Sequence, residues 1–479
     1  MVELLEGLKK ESNSAFTKNG GKTFKTTLNA NLDLFSMGGS LRTQEIDHII
    51  SLFSKAFHED KGVAMKCLFY LRDIREGQGE RRTFRVILKY LGNTYPESIK
   101  KNFKIIALFG RWDDFYAFVD TKVEKDAFVF MKNQLIEDID AKHPSLLAKW
   151  LKSKNKRSNK TNILYKKTRQ YFGMTSEEYR KTMSALRKKI NIVESKMCSR
   201  NWQDIEYSKI PSMASNRYAK VFAKNDFDRY SEFLNKVKNG EVKINASAIY
   251  PFDILRSAIN DPENIDTYES QWNALPNYCE DASQSIVICD TSGSMEGNPI
   301  LVALSLSIYF AERNEGPFKD HYITFSNRPS LQKIVGVNLY DKYKNLDRNN
   351  WDMNTNLQSA FELILKTAVK YKIPQEKMIQ KLYIISDMEF DCVTDRDVTN
   401  FQHIKTMYEK YNYEMPMIVF WNVNARNMQS PITIGDNMVY LVSGSSPSIF
   451  KNLMNTKMVN ALQFMLEILN QDRYLCVEI

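Results

Sequence analysis

Apolar positions recur along the chain in two different rhythms. From about residue 44 to 140 the spacing is helical. Ile46, Ile49, Ile50, Phe53 and Phe57 share one face, and Ala64, Cys67, Leu68 and Leu71 share another. Phe84, Ile87 and Leu91 continue the pattern, followed by Phe128, Met131, Leu135 and Ile139. Short polar connectors such as Gly77-Gln78-Gly79 and Gly92-Asn93 separate these stretches, which predicts stacked amphipathic helices without a strict repeat. Residues 152–162 (KSKNKRSNKTN) are too polar for a core and predict a loop. Helical spacing resumes after Ser176, which stands ahead of Glu177 and Glu178 as an expected N-cap.

Beyond residues 261–284, which carry Pro262 and Pro276 and no period, the texture changes. Runs rich in Ile, Val, Phe and Tyr predict strands at 285–290, 322–326, 381–386, 416–422 and 438–442. Helical stretches at 299–313, 356–371, 397–411 and 457–469 alternate with them. That alternation predicts a doubly wound, mostly parallel α/β sheet covered on both faces. The expected organisation is an extension over 1–43, an all-α, helical-repeat-like domain over 44–260, a linker over 261–284 and an α/β domain over 285–479.

Composition narrows the class. Hydrophobic residues make up 43% of 479, which predicts a packed core. No run of eighteen apolar residues is present, and the N-terminus lacks the apolar stretch of a signal peptide. Six cysteines lie far apart without a CxxC pair, and the five histidines form no HExxH. These features predict buried free thiols, no zinc site and a soluble cytoplasmic protein. The net charge of +10 is uneven: residues 142–190 hold fifteen Lys and Arg against two acidic residues, an excess larger than that of the whole chain. Such a block points to a polyanionic partner, although a solvated face is the commoner reading of a charge run.

The stretch 285–297, SIVICDTSGSMEG, runs a buried strand straight into an aspartate and small hydroxyl residues. Ligands bind such sheets beyond the carboxyl ends of the strands, where Asp290 falls. Asn298 is positioned to cap the following helix, with Pro299 in its first turn. Asp290, Ser292 and Ser294 then point one way and offer oxygen donors that suit a hard cation. Thr355, in the loop Asn354-Thr355-Asn356, and Asp387, at the end of Leu382–Ser386, occupy matching places. Glu389 and Asp391 lie past that strand end and are expected to face solvent. An aspartic protease would need Asp-Thr-Gly and a second such aspartate, and a haloacid-dehalogenase-type phosphatase would need a carboxylate where Ser292 stands. A plain helix cap without metal is the remaining alternative.

The set Asp290, Ser292, Ser294, Thr355 and Asp387 resembles the metal-ion-dependent adhesion site (MIDAS) of von Willebrand factor A domains, which implies bound Mg²⁺ or Mn²⁺. A basic helical region followed by such a domain resembles the Ro autoantigen (TROVE) architecture, which implies RNA binding. Leu71–Gly77 (LRDIREG), Phe109–Asp114 (FGRWDD), Met183–Lys189 (MSALRKK) and Ile384–Asp391 (IISDMEFD) resemble a family of uncharacterised proteins from plants, fungi and large DNA viruses, over nearly the whole chain. Gly77-Gln78-Gly79 is read as a turn, and Arg111–Asp114 as an ion-pair and aromatic anchor.

The leading expectation is a non-enzymatic RNA-binding protein whose metal site takes an acidic residue from a protein partner or from the chain itself. Lys149, Lys152, Lys154, Lys156, Arg157, Lys160, Lys166, Lys167 and Arg169 would neutralise phosphates. Tyr165, with Tyr171 and Phe172 nearby, would stack on bases. A metal-dependent interaction scaffold without RNA is the first alternative. A metal-dependent hydrolase is the weaker one, since no base or nucleophile constellation is visible.

Overall fold

The computed structural model describes residues 2–280, 282–326, 328–348, 355–392, 398–456 and 460–479. The chain begins with a helix, Val2–Ser12, and an antiparallel hairpin of β1 (Ser14–Phe16) and β2 (Lys22–Phe24). A helical region follows from Ala30–Gly38 to Ile265–Asn273. Six further strands then form one sheet: β3 (Ser285–Cys289), β4 (His321–Thr324), β5 (Leu331–Lys333), β6 (Lys381–Ser386), β7 (Met417–Asn422) and β8 (Val439–Ser443). Their order is β5-β4-β3-β6-β7-β8, parallel throughout except for β5, which runs antiparallel on β4. The chain is therefore a helical region joined to a mixed, mainly parallel α/β sheet, as the two rhythms predict.

The strands form where expected because both their faces are covered. Every residue of SIVIC and VYLVS is buried, as are all but the first of KLYIIS and MIVFWN. Helices Asn298–Arg313, Leu357–Tyr371, Asn400–Lys410 and Ala461–Leu469 match the predicted ones, whose starting residues 397 and 457–459 lie outside the described residues. The sequence pattern did not reveal β5, the hairpin, or helices Leu339–Arg348 and Ser448–Asn455. Two caps shift by one residue. Gly297, at φ 89°, takes the cap position expected of Asn298, since that backbone region favours glycine. Thr175 rather than Ser176 caps its helix, with Glu178 bonding back to the Thr175 N–H.

In the helical region, Ile49, Phe53, Phe57, Leu68 and Phe84 are buried, whereas Ile46 and Ile139 are exposed. Arg111–Asp114 is the anchor that the sequence suggests. Buried Arg72 donates to Asp114 at 2.9 Å, Arg85 reaches Asp114 at 2.6 Å, and Arg111 grips Asp113 at 2.9 and 2.7 Å. The Arg111 guanidinium also lies 3.8 Å above the Trp150 ring. Gln78 is buried and donates to the Tyr70 hydroxyl at 2.8 Å, so Gly77-Gln78-Gly79 is a packed turn.

Both ends of the chain cross between the two halves. β2 pairs with the sheet region through Phe24 and Ser430, which exchange backbone hydrogen bonds at 2.9 Å. At the other end, Arg473 and Tyr474 hold Asp73, and Asn102 donates to the Glu478 carbonyl at 2.7 Å. Residues 261–284, read as a linker, contain a helix whose buried Trp272 donates to Glu312 at 2.7 Å. The six cysteines are free, as expected, but only Cys67, Cys279 and Cys289 are buried; Cys198, Cys392 and Cys476 are exposed. Among the described residues no helix is long and apolar enough to cross a membrane.

Candidate functional site

β3 and β6 are parallel neighbours in register, with Cys289 opposite Ile385, so Asp290 and Asp387 leave the sheet at the same rim. The Asp290 N–H extends the ladder by one bond to the Ile385 carbonyl, at 3.1 Å. Asp290 is fully buried, accepting from the Ser386 hydroxyl at 2.5 Å and from the Ser292 N–H at 2.9 Å. The hydroxyls of Ser292 and Ser294 stand 3.0 Å apart. Asp387 is buried as well; one oxygen accepts from the Glu389 N–H at 3.3 Å, and the other, Oδ2, has no hydrogen-bond partner among the described residues.

These surroundings disfavour ionised carboxylates. Burial, and then the nearby Asp387 charge, push the Asp290 carboxyl up to about 6, against the opposing pull of the Ser386 and Ser292 hydrogen bonds. Burial raises Asp387 too, opposed by the neighbouring Ser294 hydroxyl. Two buried acids, hydroxyl groups and one carboxylate oxygen without a hydrogen bond make an oxygen-rich cluster of the chemistry that suits a hard cation. Among the described residues no group of three or more His, Cys, Asp or Glu is arranged for a metal, so any ion here would rely on the hydroxyls.

Thr355 belongs to the same rim but is held by the stretch after β6. Its hydroxyl donates to the Glu389 carbonyl at 2.8 Å and contacts Asp391 at 3.1 Å, while its N–H donates to Asp391 at 2.9 Å. Asn354 lies outside the described residues. Glu389 does not face solvent as expected. It is buried, accepting from the Lys18 N–H at 2.8 Å and from the Asn427 amide at 2.6 Å.

Three residues at the rim were missed in the sequence. Ser386 could have been found, since it directly precedes Asp387 on a predicted strand. Asn19 arrives with the N-terminal hairpin and donates to the Thr355 hydroxyl at 3.1 Å and the Glu389 carbonyl at 2.7 Å. The same segment lies so close that a side chain at Gly21 would meet the Phe390 carbonyl at 2.6 Å. Arg426, from the loop after β7, donates to the Ser294 carbonyl and stands 3.5 Å from Asp387 Oδ2.

The basic block divides by exposure. Lys154, Lys156, Arg157, Lys160 and Lys166 are exposed, and no ion pair engages them among the described residues. The others are committed. Lys149 lies 3.7 Å from Glu194, Lys152 lies 3.7 Å from Asp113, and Lys167 binds Asp120 and Glu124 at 2.8 and 2.9 Å. Arg169 donates to the Met174 carbonyl at 3.1 Å.

The expected aromatic platform is corrected. Tyr165, Thr168 and Phe172 form the buried face of helix Asn159–Phe172. The Tyr165 hydroxyl bonds Ser176 at 2.7 Å and its ring meets Tyr179 edge-on. Tyr171 is stacked on Phe128 with centroids 4.5 Å apart. Tyr165 and Phe172 are thus closed to a stacking base, while Tyr171 is partly buried with one face covered by Phe128.

Residues 17–170 and 144–284 match the family described as "Domain of unknown function (DUF2828)", and residues 284–473 match "Domain of unknown function (DUF7788)". The uncharacterized protein L728 of Acanthamoeba polyphaga mimivirus is 30% identical, over 96% of this chain and 87% of its own length. The crystal structure of the Deinococcus radiodurans Ro (RSR) protein aligns over 90% of this chain and 100% of its own, with 10% identity and a TM-score of 0.49, a likeness too loose to carry function.

Proposed function

The chain belongs to the DUF2828 family, and we propose that it is a non-enzymatic RNA-binding protein with a divalent-cation site resembling that of von Willebrand A domains. Residues 44–260 and 285–479 are its two working parts. The observation that carries the metal reading is the buried pair Asp290 and Asp387, one of whose oxygens lacks a hydrogen bond among the described residues. Ionised acids buried side by side are costly to a fold unless a cation compensates them or they take up a proton. Mg²⁺ or Mn²⁺ fits that need, with Asp290, Ser292, Ser294, Thr355 and Asp387 as ligands, directly or through water. The ion would supply positive charge for docking an acidic side chain from a protein partner. A hydrolytic role is less well supported, because the Glu389 and Asp391 carboxylates are tied to Lys18, Asn427 and Thr355.

Lys154, Lys156, Arg157, Lys160 and Lys166, exposed and without an ion pair among the described residues, supply the surface for single-stranded RNA. Each phosphate contact contributes about −0.7 to the slope of log affinity against log salt. Fluorescence anisotropy with labelled single-stranded RNA at low salt tests this part. The proposal expects binding that weakens steeply with salt and a flatter slope when Lys154, Lys156, Arg157 and Lys160 become Ser. No binding by the unaltered protein would leave the metal-dependent interaction scaffold, a reading that burial of Tyr165 and Phe172 favours.

A further inference from the structure

Arg426 makes the one ion pair that either Asp290 or Asp387 has among the described residues. The contact has a particular form. Nη2 is used on the Ser294 carbonyl, while Nε stands 3.5 Å from Asp387 Oδ2. The guanidinium therefore does not grip the carboxylate with two parallel bonds, which is the strong arrangement for arginine. It lies against the oxygen that no hydrogen bond satisfies, at the rim where a divalent ion would sit.

We infer that Arg426 is an internal counter-cation, and that a divalent ion and its guanidinium compete for Asp387, an inference that rests on the metal reading above. Charge supports exclusion. Of the two charges on ionised Asp290 and Asp387, Arg426 offsets one and a divalent ion would offset both, with Glu389 a further acid beside them. The two cations together would sit a few ångströms apart in a poorly solvated place, where like charges repel strongly.

The backbone around Arg426 is fixed, so the exchange is a side-chain event. The Ala425 N–H donates to the Ser40 carbonyl at 3.3 Å, and Gln44 donates to the carbonyls of Ala425 and Arg426 at 2.5 and 3.1 Å. Asn427 is pinned by Glu389 on the other side. The Arg426 side chain is 36% exposed, so it has water to swing into. The site thus keeps a resident cation until a divalent ion displaces it, and the arginine sets the concentration at which the ion enters.

Calorimetric titration of the full chain with Mn²⁺ tests this, using Arg426→Met, which keeps the apolar stem, and Arg426→Gln as a second variant with an independent chance of folding. Circular dichroism checks the fold of each. Both variants should bind Mn²⁺ about tenfold more tightly than the unaltered protein, a change of about 1.4 kcal/mol. Without metal they should melt below it, and saturating Mn²⁺ should raise their melting temperature more. Mn²⁺ binding of equal or lower affinity in the variants overturns the competition while leaving the metal site in place. No Mn²⁺ binding by any of the three proteins overturns both.

Discussion

The side-chain amide of Asn19 meets the hydroxyl of Thr355 at 3.1 Å, joining residues 336 positions apart at the carboxyl rim of the sheet. Because Asn19 also holds the Glu389 carbonyl, the N-terminal hairpin helps to fix the stretch after β6. Asn19→Ala should cost about 1–2 kcal/mol, the typical loss when such partly buried partners are left unpaired. It should also speed amide hydrogen exchange at residues 389–391. Unchanged exchange there would show that the hairpin only rests on the rim.

Asp114 predicts a much larger effect. Its carboxylate holds fully buried Arg72 and also Arg85, so Asp114→Ala leaves a buried guanidinium short of its partner. Urea unfolding should show a loss of about 3–5 kcal/mol. The exposed pair Lys104 and Glu478, at 2.6 Å, is the contrast: Lys104→Ala should leave the urea midpoint nearly unchanged.

Tyr165 separates structure from recognition in the basic segment. Tyr165→Phe removes the hydrogen bond to Ser176 and should lower stability by about 1 kcal/mol, with RNA affinity unchanged. Replacing Lys154, Lys156, Arg157 and Lys160 by Ser should do the reverse, weakening RNA binding with little change in melting temperature. A drop in RNA affinity for Tyr165→Phe at full folding would point to an RNA contact through the hydroxyl, since phenylalanine keeps the ring.

The contrast shows what could be read in the sequence. SIVIC, KLYIIS, MIVFWN and VYLVS stand out as apolar runs because inner strands are covered on both faces, and their ends locate Asp290 and Asp387. β5 (LQK) escapes because an edge strand with two exposed residues of three has no such run. Tyr165, Thr168 and Phe172 share a helix face, but the lysines between them read as a surface, because the packing partner Tyr179 lies on the next helix and leaves no mark in this segment. Arg426 reaches Ser294 across 132 positions from a loop, and a contact of that kind leaves no periodic trace.

Asp290 gives a pH dependence with a definite sign. Its folded carboxyl titrates at about 6, against an ordinary 3.8, so folding takes up a proton between those values. The cost of the buried charge is absent below about pH 4 and fully felt above about pH 6. Metal-free stability should therefore fall as pH rises through that window, by up to about 3 kcal/mol from this group. Asp33, also raised to about 6 by burial, contributes with the same sign, so the difference between the unaltered protein and Asp290→Asn isolates the site. Melting curves in chelator from pH 4 to 7 should show the shallower slope in Asp290→Asn; identical slopes would place the titrating group elsewhere.

The most direct test of the divalent-ion site is calorimetric titration of the full chain with Mg²⁺ and Mn²⁺ at neutral pH, where Asp290 is ionised, beside the same titration of Asp290→Ala. The account predicts one ion bound per chain, stabilisation in a thermal melt that grows with ion concentration, and loss of both in Asp290→Ala. Asp387→Asn, which keeps an oxygen but removes the charge, should bind more weakly without losing the ion altogether. Equal binding and equal stabilisation in the unaltered protein and Asp290→Ala would contradict the site.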